Sequence, residues 1–215
     1  MPLFRDLNLL YIHVPKTGGT SIKEYFKKFS SMDYCGVNAY SNDTIGNSDH
    51  YIPSRLKYEI SNYNNLVKFV TFRNPYDRIV SEFFWLSADK YTSFDDFIVM
   101  VNEHIKNISW LDCINKHITI QFGDKRALEI EICHLLPQHY YYDSNLEILK
   151  FETLDDDFNQ FLLRHNLPKS GKLMKFNTTK HNNYKDYFDR EEIRDIIYNI
   201  YKKDFQLLNY PINLD

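Results

Sequence analysis

Apolar positions along the chain fall into runs of two kinds. Residues 8–14, "NLLYIHV", form a continuous apolar stretch halted by Pro15, the pattern of a buried strand entering a turn. After the turn "PKTGG", the segment "TSIKEYFKKF" sets Ile22, Tyr25, Phe26 and Phe29 at helical spacing and leaves Lys23, Lys27 and Lys28 on other faces, which predicts an amphipathic helix. Residues 30–49, rich in Ser, Asn, Asp and Gly, read as a surface connection, and residues 54–60 as a short helix. The strongest strand pattern is "LVKFVTFR" at residues 66–73. The next two residues end it, because Pro75 cannot donate to a ladder but suits the first turn of a helix, and "YDRIVSEFFWL" continues as that helix. Further helices start at Ser93, at Thr153, and at Asp189 with Glu192, and residues 146–151 form the last strand. Strands alternating with helices predict an α/β fold with a parallel sheet covered on both faces.

Length and composition narrow the picture. The 215 residues suit one domain, 1–215, with a substantial core. A net charge of -3 draws the chain toward neither nucleic acid nor an anionic membrane, so any anion binding must be local. Cys35, Cys113 and Cys133 are odd in number and lack a CxxC pair, which argues for reduced thiols and against a zinc or disulfide framework. The short apolar run near the N-terminus is not a signal-peptide core, and no run approaches a membrane span. The chain therefore reads as cytoplasmic, or as a piece cut from a longer anchored protein.

The chemistry centres on "HVPKTGGTS". A glycine turn between a strand and a helix aims backbone N–H groups at one spot, with the positive end of the helix dipole behind them, and this suits a phosphate-like anion. Thr17, Thr20 and Ser21 add hydroxyls and Lys16 adds a cation. The lysine precedes the glycines, so the loop is not a Walker A sequence. A second strand-turn-helix, "RNPYDRIVS", carries Arg73 at a strand end and Ser81 on the following helix. Arg73 offers a fork of donors and Ser81 a hydroxyl to a second anion. Arg78 reads as a structural ion-pair partner.

The two motifs together resemble those of sulfotransferases that use 3'-phosphoadenosine 5'-phosphosulfate (PAPS), in the branch of carbohydrate sulfotransferases and their bacterial relatives. The resemblance extends more loosely through "LLPQHYYYD", "ILKFETLDDDF", "KFNTT" and "DFQLLNY". It implies a three-layer, P-loop NTPase-like domain with a central, mainly parallel sheet. It implies that Lys16, Thr17, Gly18, Gly19, Thr20 and Ser21 hold the 5'-phosphosulfate, with Lys16 at the leaving oxygen, and that Arg73 and Ser81 hold the 3'-phosphate. The product is 3',5'-bisphosphoadenosine (PAP), no metal is expected, and the acceptor is a hydroxyl on a glycan or small molecule. Among eight histidines, His50 resembles the one some relatives use as a general base. His13 and His139 stand behind it, with Asp49 and Glu59 as weaker carboxylate candidates. A P-loop kinase and a non-catalytic nucleotide-binding protein are the alternatives; neither oligomeric state nor acceptor identity is written in the sequence.

Overall fold

The computed structural model describes residues 1–34, 50–113, 116–122, 126–176 and 180–214; the side chains of residues 34, 112, 113, 122 and 126 lie outside that description. Along the chain run β1 (Pro2–Phe4), β2 (Leu9–Ile12), α1 (Gly19–Phe26), β3 (Met32–Tyr34), α2 (Pro53–Glu59), β4 (Val67–Phe72), α3 (Pro75–Trp85), α4 (Phe94–Ile105) and α5 (Trp110–Cys113). Then come β5 (His117–Phe122), β6 (Arg126–Glu131), α6 (Ile132–Leu135), β7 (Glu147–Lys150), α7 (Leu154–Arg164) and α8 (Glu191–Leu208). These elements group into two compact units, Met1–Arg73 with Tyr140–Thr178, and Asn74–His139 with Thr179–Asp215.

The first unit is built on a five-stranded sheet of order β3-β1-β2-β4-β7. Strands β2, β4 and β7 are parallel, while β1 runs antiparallel to both β2 and β3. The sheet is thus parallel in its middle, as expected, and antiparallel on the β1 side, which the expectation did not include. The cause is local: residues 5–8, with Asn8 at φ 50°, reverse the chain between β1 and β2, and so short a link can only join antiparallel strands. The surface connection expected over residues 30–49 contains β3 at its start; residues 35–49 lie outside the description. Helices α1 and α7 pack on one face of the sheet, where Ile22, Tyr25, Phe26, Phe158 and Phe161 meet Phe4, Leu9, Tyr11, Phe69 and Leu149. Leu10, Ile12, Val70 and Phe72, which alternate with these residues, are buried as well.

The second unit gathers α3, α4 and α8 around an apolar cluster that includes Tyr76, Phe83, Phe97, Ile98, Phe188, Ile197 and Phe205. Its β5–β6 hairpin adds Ile120, Leu128 and Ile130 to that cluster. Helix α3 begins as the Asn-Pro pair predicts: Asn74 accepts from Tyr76 N and Pro75 occupies the first turn. Ser93 likewise accepts from Asp96 N at the start of α4. Two expected caps differ. The Thr153 hydroxyl donates to Asp157 instead of accepting an amide, and α8 is preceded by Arg190 with no side-chain cap.

Candidate anion-binding site

Thr17, Thr71, Tyr11, Gly18, Gly19, His13 and Arg73, which shape the loop after β2, all belong to the first unit. Thr17, fully buried, donates its hydroxyl proton to Val14 O at 2.8 Å, so it can only accept from Thr71 at 2.7 Å, and Thr71 in turn accepts from Tyr11 at 2.6 Å. This chain of buried hydroxyls pins the loop to β2 and β4. What Thr17 can present outward is therefore backbone, because its side chain is committed inside.

The two glycines serve different needs. Gly18 sits at φ 86°, the left-handed region that L side chains rarely adopt, and forms the N-cap position of α1. Gly19 leaves room for a neighbour: a Cβ there would run into the buried imidazole of His13. That ring is stacked on Tyr11 at 5.5 Å and lies 4.6 Å from the His50 ring, so it is poorly placed to yield. A glycine-only surface over a helix start is the cradle that a tetrahedral anion needs. The Ser21 and Ile22 amides close onto Gly18 O, so the donors facing an anion come from residues ahead of Ser21. Ser21 is buried and its hydroxyl accepts from Phe176 N at 3.1 Å, while Thr20 is half-buried at the mouth of the turn.

Lys16 lies at φ 66°, an unusual conformation for a residue with a Cβ and one that costs about 1–3 kcal/mol. Its carbonyl accepts from Arg73 Nη1 at 3.1 Å. Arg73 is itself buried, with its guanidinium 4.2 Å from the centre of the Phe151 ring. The arginine at the end of β4 and the lysine of the loop after β2 thus share one hydrogen bond. Ser81 is buried on α3 in the second unit.

A sequence model described as the sulfotransferase family matches residues 3–211. The chain belongs to the sulfotransferase family. Comparisons with curated proteins and with solved structures found no match. The loop, the strand end and the helix start described above all fall within the matched span of this sulfotransferase.

The remaining candidates sort by their partners. His50 is buried, and its Nδ1 lies 2.9 Å from His13 O. A carbonyl can only accept, so Nδ1 carries a proton, and in the neutral ring Nε2 carries the lone pair. His13, with its ring packed under Gly19, supports the loop. His139 lies in the second unit, where its Nδ1 and backbone N–H both donate to the fully buried Asp204, as does Gln138 N. His181 is half-buried and stacked on Phe84 at 5.5 Å. Arg78 is structural as expected, but its donors go to the carbonyls of His134 and Leu136 and not to a carboxylate. Glu59 is paired with Arg55, and Asp49 lies outside the described residues. Sequence reasoning missed Thr71 and Phe151, which hold the loop and Arg73. A threonine set between Val70 and Phe72 in β4 was the available signal for the first; an aromatic residue at a strand end gave none for the second.

Proposed function

We propose that this sulfotransferase takes its sulfuryl group from PAPS and transfers it to a hydroxyl, with a carbohydrate as acceptor. The observation that carries the reading is the bond from Arg73 to the carbonyl of Lys16, which joins the arginine of the second motif to the anion loop of the first. In this scheme the amides around Gly18 and Gly19 hold the 5'-phosphate. Lys16 stabilises charge on the oxygen that leaves sulfur. Arg73 and Ser81 hold the 3'-phosphate, an assignment that rests on the motif. His50 Nε2 takes the acceptor's proton as the acceptor oxygen bonds to sulfur and the sulfur–oxygen bond to PAP breaks. The carbohydrate acceptor and the P-loop type of the fold rest on the resemblance.

The test compares PAP with AMP as ligands in thermal denaturation, at equal ligand concentration. PAP is expected to raise the melting temperature more, since charged hydrogen bonds to the extra phosphate contribute about 1.5–3 kcal/mol. Arg73→Ala is expected to remove most of the difference. Equal shifts for the two nucleotides in the wild type reject the 3'-phosphate assignment, and labelled PAPS with a glycan panel then tests transfer itself.

A further inference from the structure

The junction of β6 and α6, in the second unit, brings three metal-type donors to one spot. Glu131 ends β6 and precedes α6, and Cys133 and His134 follow within that single helical turn. One ligand atom from each of the three side chains lies within 4.8 Å of the other two. Cys133 and His134 are buried and Glu131 is half-buried. His134 is held from behind by α3: its Nδ1 lies 3.0 and 3.1 Å from the two carboxylate oxygens of Glu82, which is 1% exposed. The Trp85 ring lies against the same imidazole at 4.9 Å. A carboxylate behind a histidine fixes its tautomer and orientation, an arrangement that metal-ligating histidines share.

The charges point the same way. Cys133 Sγ donates to Glu131 at 3.4 Å. The Glu131 carboxylate thus lies beside a buried thiol and the Glu82 carboxylate beside the imidazole, while the neighbouring guanidinium of Arg78 is directed at the carbonyls of His134 and Leu136. A divalent cation suits this set: on binding, the thiol would lose its proton to solvent, and thiolate and Glu131 carboxylate would together neutralise the ion.

We propose that Glu131, Cys133 and His134 bind one zinc-class divalent cation, with Glu82 orienting the histidine. Thiolate with imidazole selects a borderline ion such as zinc over magnesium or calcium. Zinc bond lengths of about 2.0–2.3 Å in a tetrahedral set place donor atoms about 3.4–3.7 Å apart, a separation that Cys133 Sγ and Glu131 already have at 3.4 Å. The site serves the junction of strand and helix and takes no part in sulfuryl transfer, so it stands or falls independently of the function proposed above. The sequence argued against a zinc site because no CxxC spacing marks these residues, and the proposal departs from that expectation.

The test uses the full chain, stripped with chelator and titrated with cobalt(II), whose bond to a thiolate gives a charge-transfer band in the near ultraviolet. One ion per chain is expected to produce the band, zinc to displace it, and Cys133→Ser to abolish it. Glu82→Gln, which keeps size and loses charge, is expected to weaken binding by about 10–100-fold with the band retained. The proposal is overturned if the wild type gives no band at saturating cobalt, if Cys133→Ser keeps it, or if Glu82→Gln binds as tightly as the wild type.

Discussion

At the scale of single residues, the anion loop is specified by what must be absent as much as by what is present. Gly19 has no side chain because the His13 imidazole occupies the space a Cβ would need. Gly19→Ala is expected to destabilise the protein by about 1–3 kcal/mol, the usual cost of overpacking, and to weaken PAP binding; a melting curve with and without PAP checks both. His50 makes the opposite case, since its value lies in one nitrogen. With Nδ1 donating to the His13 carbonyl, the neutral ring carries its lone pair on Nε2. His50→Asn is expected to leave PAP affinity nearly intact and to slow transfer by about 10²–10⁴-fold, with the acid limb of the wild-type rate profile lost from the residual activity. Transfer at the wild-type rate would remove His50 from the role of base.

At the scale of elements, the outer parallel strand β7 is tied to α7 by a carboxylate. Glu147 accepts from His165 at 2.7 Å and from Arg164 Nε at 3.0 Å. Burial pushes the Glu147 carboxyl up, but the bonds from His165 and Arg164 outweigh it and hold the group below its ordinary value of 4.5. A depressed folded value means the contribution is present above pH 4.5 and is lost as acid protonates the folded carboxylate below it. Melting temperatures of wild type and Glu147→Gln are therefore expected to differ near neutrality and to converge in acid. A gap that stays constant into acid would show that the ion pairs contribute nothing. The elements themselves were legible wherever the period was clean. The apolar runs and the Pro stops located β2, β4 and α3, and the spacing of Ile22, Tyr25 and Phe26 located α1. The β5–β6 hairpin went unread although Ile118, Ile120, Leu128 and Ile130 alternate with polar residues across it. β1 and β3 escaped because each is three residues long, too short for a period to show. At the anion loop, the residue types were written in the motif, while the inward turn of the Thr17 hydroxyl depends on Thr71, brought near only by the sheet.

At the scale of the whole molecule, the family match spans both compact units, so the second unit is part of what makes the chain a sulfotransferase. Among the described residues no helix is long and apolar enough to cross a membrane. The bond between Arg73 and Lys16, with the hydroxyl chain from Tyr11 through Thr71 to Thr17, also bears on how the protein is born. Synthesis delivers the glycine loop well before β4, and a parallel neighbour reached by a long crossover pairs slowly. Until that strand emerges and docks, the loop has neither its Thr71 pin nor its Arg73 clasp, so nucleotide cannot act as an early template for folding. A fragment of residues 1–65, which carries the entire loop sequence, is expected to show no PAP binding by calorimetry. On the proposed reading, the donor is admitted only by a chain in which β4 has already docked beside β2, and a nascent chain still short of that strand is blind to it.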